Sequence, residues 1–307
     1  MARALELAER GRGKVRDHPL VGAVVVAGGE VVGEGWYEYD AVDHAETVAL
    51  RAAGDRARGA TLYVTLEPCA HHGRTPPCAD AVAAAGIARV VVGALDPNPK
   101  AAGGVERMRV AGIEVEVAES EDALRQNEAW RTWVALGRPL VTYKVAVTLD
   151  GRVAVPGRRW VSGEESRRLV HELRAQSDAV AVGMGTVRAD RPRLDARGVD
   201  AQRQPRRLAF GHGDAGELEV RSGPLEDELR ALAAEGVQSL LLEGGPTLAT
   251  AFLRAGLVDK LMVFVAPVLG GDGPRFLGEL FEPVPLFDVH ARPVGEDVLV
   301  EASIHRP

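Results

Sequence analysis

Two hydrophobic periods run along this chain, one near two residues and one near 3.6, and they mark strands and helices in alternation. Leu5, Leu7 and Ala8 form a short helical pattern that ends near Gly11–Gly13. Leu20–Val26 and Glu30–Trp36 are β-rich runs joined by Gly28-Gly29, a hairpin signal. His44–Ala53 reads as a helix stopped at Gly54, Thr61–Leu66 as a strand, Ala79–Ala85 as a small-residue helix, and Arg89–Ala94 as a buried strand. Val105–Ala111 and Glu114–Val117 repeat helix and strand. The alternation predicts a three-layer α/β/α domain with a mixed sheet.

Glu121–Gly137 reads as one helix carrying Trp130 and Trp133, with a domain boundary near Gly137–Pro139. The expected domains are 1–137 and 138–307. In the second, Leu140–Val147, Ala179–Val182, Ser239–Leu242 and Lys260–Val265 read as strands. Ser166–Ala175, Leu225–Ala234 and Thr247–Ala255 read as helices, a second α/β alternation. Arg188–Gly216 is polar and rich in arginine and glycine, the pattern of a loop.

Bulk composition narrows the function. With 307 residues, 46% of them hydrophobic, the chain can bury two cores. Its net charge is −7, with 16 Lys+Arg against 20 Asp+Glu in residues 1–138 and 21 against 24 in the remainder. Neither half carries the cationic footprint of a nucleic-acid binder. Two cysteines make no disulfide framework and read as metal ligands or free thiols in a reducing compartment. Residues 1–16 lack the apolar core of a signal peptide, and no apolar run approaches the ~20 residues of a membrane span. The expectation is a cytoplasmic protein without membrane or nucleic-acid partners.

Chemistry concentrates in His44-Ala45-Glu46, Pro68-Cys69 and Pro77-Cys78, each at a helix start. Zinc accepts one imidazole and two thiolates and, in catalytic sites, keeps a fourth position for water. Glu46, two residues beyond His44, can stand near the metal without binding it and carry protons, as deamination of an amidine-type carbon requires. A structural zinc site would instead draw a fourth ligand from His71 or His72. Two free buried thiols are the other plain alternative.

His44-Ala45-Glu46 together with Thr65-Leu66-Glu67-Pro68-Cys69-Ala70-His71-His72-Gly73-Arg74-Thr75-Pro76-Pro77-Cys78 resembles the bifunctional deaminase/reductase family of riboflavin biosynthesis, and Asp96-Pro97-Asn98-Pro99 matches it too. The resemblance implies a cytidine-deaminase-like N-terminal domain with catalytic Glu46, one zinc on His44, Cys69 and Cys78, and a pyrimidine ribose-phosphate substrate that Arg74 and Asn98 contact. Two positions depart from the pattern. Asp17-His18-Pro19 stands where the family usually has Pro-Asn-Pro, and Tyr37 where it usually has histidine. The chain also begins close to its first helix, without an N-terminal stretch common in the family.

In the second half, Gly183-Met184-Gly185-Thr186 and Leu242-Glu243-Gly244-Gly245-Pro246-Thr247 each follow a strand and open a helix, where glycines allow close backbone approach and helix ends attract phosphate. Taken alone, such glycine pairs are commoner as tight turns. Tyr143-Lys144, Leu149-Asp150-Gly151-Arg152, Leu173-Arg174-Ala175-Gln176-Ser177 and residues 256–270 also match the reductase half of the same family. The implied fold is dihydrofolate-reductase-like α/β, with NADPH as reductant. The resemblance assigns cofactor contacts to Ala146, Trp160, Thr186, Asp190 and the run Gly245, Pro246, Thr247, Leu248, Ala249, Thr250 and Ala251. It assigns substrate contacts to Arg174, Leu194, Arg197 and Glu243. Lys144 is expected as a polar contact beside the reacting carbon, and a homo-oligomer is the expected assembly. The segment 204–236 is shorter than the family's. That leaves a deaminase with a silent reductase-like domain as an alternative, beside a nucleic-acid base deaminase and a zinc-stabilised nucleotide-binding regulator.

Overall fold

The computed structural model describes residues 1–201 and 203–305. The chain divides into two compact units, Met1–Leu136 and Gly137–Pro307.

The first unit is built on five strands, β1 (Gly22–Ala27), β2 (Glu30–Trp36), β3 (Thr61–Val64), β4 (Arg89–Val92) and β5 (Glu114–Val117). Their order is β2-β1-β3-β4-β5; β1 is antiparallel to β2 and β3, and β3, β4 and β5 are parallel. The hairpin is as expected, with Gly28 and Gly29 at φ +59° and +84°, the values a tight two-residue turn demands. The helices are α1 (Ala2–Glu9), α2 (Ala45–Ala53), α3 (Cys78–Ala84), α4 (Gly104–Val110), α5 (Glu121–Gln126) and α6 (Glu128–Leu136). Strand alternation sorts the two faces. Ala23 and Val25 join the core made with α2, α3 and α4, whereas Val24 packs with Ala4 and Leu7 of α1. Gly33 and Gly35 let α2 lie directly on β2: a Cβ at either would fall 2.1–2.2 Å from a carbonyl oxygen of the helix. That close seating fixes the height of the α2 N-terminus, where the zinc motif begins.

The reading of 121–137 as one helix needs correction. The helix breaks at buried Asn127, whose side chain accepts from the Leu20 N–H and donates to the Leu20 carbonyl, both at 2.8 Å. Neither glycine nor proline announces this break; a long-range hydrogen-bond pair causes it.

The second unit holds β6 (Leu140–Thr148), α7 (Glu164–Gln176), β7 (Ala179–Gly183), α8 (Met184–Asp190), β8 (Arg206–Phe210), β9 (Glu219–Arg221), α9 (Leu225–Ala234), β10 (Ser239–Leu242), α10 (Pro246–Arg254), β11 (Lys260–Ala266), β12 (Phe287–Val294) and β13 (Asp297–Ser303). The sheet order is β12-β13-β11-β6-β10-β7-β8-β9, parallel from β11 to β9 with an antiparallel edge of β13 and β12. Val141, Tyr143, Val145 and Val147 of β6 face a core shared with α9 and α10. Ala146, on the opposite face, packs with Val170 of α7 and Phe264. Lys144 alternates onto that same side. The span 188–216, expected to be loop, contains the end of α8 and all of β8. Leu208, Ala209 and Phe210 are buried between neighbours, a core signal that Arg206 and Arg207 mask in the sequence. The β12–β13 edge was not anticipated either.

Candidate functional site

His44 caps α2 in an extended conformation, and Cys78 opens α3 directly after Pro77. Cys69 follows β3 on a loop whose carbonyl accepts from the Ala79 N–H at 3.2 Å. Three separate chain segments thus deliver three donors to one place. His44 Nδ1 lies 3.6 Å from Cys69 Sγ and 3.2 Å from Cys78 Sγ, and all three ligand atoms lie within 4.8 Å of one another. Tetrahedral zinc, with Zn–S about 2.3 Å and Zn–N about 2.0 Å, would separate sulfur and nitrogen by about 3.6 Å. The donor set therefore fits that ion. His71 and His72 are exposed, and no fourth ligand joins the group among the described residues, which leaves a position free as catalytic zinc requires.

The two thiols are electrostatically unequal. Cys69 is pulled well below the usual thiol range, first by a hydrogen bond from Cys78 and then by His44 and the Cys78 backbone N–H. Cys78 is pushed up by its hydrogen bond with Cys69 and by burial. His44 is raised by its bond to Cys69. Glu46, 3% exposed in the first turn of α2, is raised chiefly by burial, with His44 opposing. A carboxylate moved toward neutrality is suited to exchanging protons.

His44, Glu46 and Cys69 line a cavity of about 450 Å³. Arg74 and Asn98 line it as well, as expected. Arg74 is exposed at the mouth, its guanidinium 4.9 Å from the Tyr39 ring. The Asn98 side-chain oxygen accepts the Lys100 N–H at 3.1 Å, so the residue also serves its own turn. Both departures from the family pattern fall on this wall. Tyr37 is buried, its ring 5.5 Å from His18 on one side and 5.5 Å from His44 on the other. Glu67, which the sequence reading left without a role, accepts from the Gly103, Val105 and Asp96 N–H groups and so holds the loop that carries Asn98. Its place before Pro68-Cys69 was the available signal. Asp96 is pushed up to about 6, mainly by burial.

The second unit gathers its own polar centre. Glu243, just after β10, accepts from Arg174 at 2.6 and 3.0 Å and from Lys144 at 3.4 Å. Burial would raise its pKa, but Lys144 and Arg174 outweigh that and bring it down to about 2. Gly183 and Gly245 cap α8 and α10 at the carboxyl ends of neighbouring parallel strands. A Cβ on Gly245 would stand 3.3 Å from Thr186 Oγ1, and one on Gly183 3.3 Å from Leu248 Cβ. The two turns therefore abut, and paired helix ends of this kind suit the phosphates of a dinucleotide.

Not all assigned residues reach open space. Ala249 is fully buried in the core, and Thr250 Oγ1 accepts the Gly278 N–H at 2.8 Å. Leu194 is buried, with φ +56°. Pro246, Thr247 and Ala251 lie on α10 with Thr247 exposed, and Asp190 is exposed at the end of α8. Trp160 is 51% exposed between the guanidinium groups of Arg159 and Arg167, at 5.1 and 5.6 Å, and lines a second cavity of about 520 Å³. Ala146 is half-buried on β6, and Arg197 is exposed and paired with Asp195.

Residues 1–94 match the cytidine and deoxycytidylate deaminase zinc-binding region, and residues 139–300 match the RibD C-terminal domain. The riboflavin biosynthesis protein RibD of Aquifex aeolicus is 41% identical, across 89% of this chain and 87% of that protein. The chain belongs to the RibD family. RibD of Escherichia coli is 39% identical, across 90% of this chain and 89% of that protein. Two solved structures match over nearly the full chain. Acinetobacter baumannii RibD matches with a TM-score of 0.84 at 35% identity, covering 98% of this chain and 97% of that one. The diaminohydroxyphosphoribosylaminopyrimidine deaminase/5-amino-6-(5-phosphoribosylamino)uracil reductase of Thermotoga maritima matches with a TM-score of 0.86 at 36% identity, covering 99% and 97%.

Proposed function

We propose that residues 1–137 hydrolytically remove the 2-amino group of diaminohydroxyphosphoribosylaminopyrimidine, and that residues 138–307 reduce the ribosylamino side chain of the product to ribitylamino. The chain is a zinc-dependent deaminase and NADPH-dependent reductase of riboflavin biosynthesis, acting on a small pyrimidine. The observation that carries the deaminase reading is the convergence of one imidazole nitrogen and two sulfurs, with the buried carboxylate of Glu46 at the cavity that His44 and Cys69 line.

His44, Cys69 and Cys78 would hold the zinc, which when bound supplies a Lewis acid that makes water nucleophilic near neutral pH. Glu46, shielded from solvent, takes one proton from the attacking water and gives it to the pyrimidine ring nitrogen, then takes the second from the hydroxyl left on carbon and gives it to the amino group, which departs as ammonia. Tyr37 and His18 wall the ring, Asn98 offers an amide to its polar edge, and Arg74 meets the phosphate at the mouth.

In the second unit NADPH supplies the reducing equivalent. The abutting turns at Gly183 and Gly245, with Thr186 between them, would seat its phosphates, and Trp160 and Ala146 would flank it. Arg197 and Arg174 receive the substrate phosphate. Lys144, held by Glu243, stands as a fixed proton donor beside the reacting carbon. Ala249 and Thr250 contribute by packing α10, not by touching the cofactor.

The acidic balance of both halves supports a free small molecule rather than nucleic acid as ligand. No helix among the described residues is long and apolar enough to cross a membrane. A cytoplasmic homo-oligomer is the proposed setting; the exposed outer strand β12 offers an edge for a second copy. The test is product mass. Zinc-loaded protein with the pyrimidine should exchange an amino group for oxygen without NADPH, and the product should gain two hydrogens when NADPH is added. No mass change in either mixture would overturn the assignment.

A further inference from the structure

Arg197, the exposed arginine assigned to the substrate phosphate, sits on a segment that does not hold itself. Leu194, the residue before Asp195 and three before Arg197, has left-handed backbone at φ +56° while its side chain is buried, a conformation that persists only where neighbours hold it. Gln204 holds one link: its side chain accepts the Ala196 N–H and donates to the Ala196 carbonyl, both at 2.8 Å. The other links come from α7. Arg174 Nη1 donates to the Asp195 carbonyl at 3.2 Å. His171, three residues earlier on the same helix face, places Nδ1 3.1 Å from that carbonyl oxygen and 3.4 Å from the Arg197 backbone nitrogen. No role has so far fallen to this half-buried ring.

We infer that His171 is a positioning residue for the reductase: through Nδ1 it fixes the backbone of 195–197 so that Arg197 stands beside Arg174, ready for a phosphate. The geometry is specific to one ring atom. Nδ1 lies where it can donate to the Asp195 carbonyl or accept from the Arg197 N–H, and Arg174 shares the same carbonyl. Around the ring stand Arg174 and Arg197 as cations and Asp195 as the carboxylate that pairs with Arg197 and Arg193. Beyond Arg174 lies Glu243, bound in turn to Lys144. Burial, and after it the two arginines, lowers the His171 pKa. The line from Lys144 through Glu243, Arg174 and the Asp195 carbonyl to His171 is continuous. The group beside the reacting carbon and the group beside the phosphate are therefore set by one framework.

The inference rests on the reductase reading above, and full-length protein tests both. Reductase kinetics with the deaminated pyrimidine and NADPH are compared for wild type, His171→Ala, His171→Asn and His171→Gln. An asparagine amide reproduces the place of Nδ1, and a glutamine amide that of Nε2. The expected result is a KM for the pyrimidine raised about tenfold in His171→Ala, the loss of one hydrogen bond to a group meeting a charged ligand. Its kcat should stay within about twofold and its NADPH Kd should not move. Asparagine should restore the KM and glutamine should not. An unchanged KM in an active His171→Ala enzyme would overturn the inference alone, as would asparagine and glutamine behaving alike, or kcat and NADPH affinity falling in step with KM. Absence of NADPH-dependent turnover in the wild type would overturn the reductase reading and this inference together.

Discussion

Glu46 and Glu243 each keep a carboxylate out of water, one in each unit, and their surroundings drive them in opposite directions. Around Glu46 burial dominates, the one opposing cation is the imidazole of His44, and its pKa rises. Glu243 is largely buried too, its side chain 9% exposed, but Lys144 and Arg174 overcome that and hold it near 2. Burial alone therefore says nothing about the work of a carboxylate. The carboxylate moved toward its protonated form belongs to the hydrolytic unit. The group locked in its charged form belongs to the reductive unit, where it fixes two cations. A proton shuttle needs a pKa its environment has moved toward the working range; an anchor needs one moved away from it.

Exchanging Glu46 for Gln tests this contrast with the largest expected effect. Ammonia release should fall by roughly 10²–10⁴-fold, the usual worth of a general acid–base. Zinc content by atomic absorption and NADPH oxidation with the deaminated pyrimidine should stay at wild-type levels. Substantial ammonia release from this variant would remove Glu46 from the mechanism.

Glu243→Ala should show the opposite profile. Removing it leaves Lys144 and Arg174 without their shared counter-charge, which costs about 3–5 kcal/mol where a buried pair is broken. Urea unfolding should register the loss in the transition of the second unit, with deamination retained. A variant as stable as the wild type would mean that the carboxylate is not an anchor.

The smallest effect is in pH. Because the folded pKa of Glu243 is depressed, its stabilisation is complete above the ordinary glutamate range and disappears as pH falls toward about 2. Between pH about 4.5 and 2, stability should therefore decline more steeply in wild type than in Glu243→Gln. Parallel curves would show that the two cations do not govern this group.

Much of the hydrolytic site was legible in the chain because its chemistry is local. His44 and Glu46 are two residues apart, and each cysteine follows a proline at an element boundary. Those residue types have few other uses together. The strands and helices of both units followed from periodicity wherever an apolar face was unbroken. It failed where long-range contacts decide. Asn127 breaks a helix for the sake of Leu20, over a hundred residues away, and β8 is hidden by the two arginines that begin it.

What the sequence determined by itself was the cluster of His44, Cys69 and Cys78 that could hold a metal, the carboxylate of Glu46 two residues from His44, and the alternation that builds two α/β units, since each shows in residue types and spacing along the chain. The tertiary structure alone decided which buried carboxylate is free and which is clamped. It also decided that Ala249 and Thr250 face the core, and that His171 meets Asp195 and Arg197. Electrostatic environment and packing come from residues brought together across a sheet, and spacing along a chain carries no record of those distances.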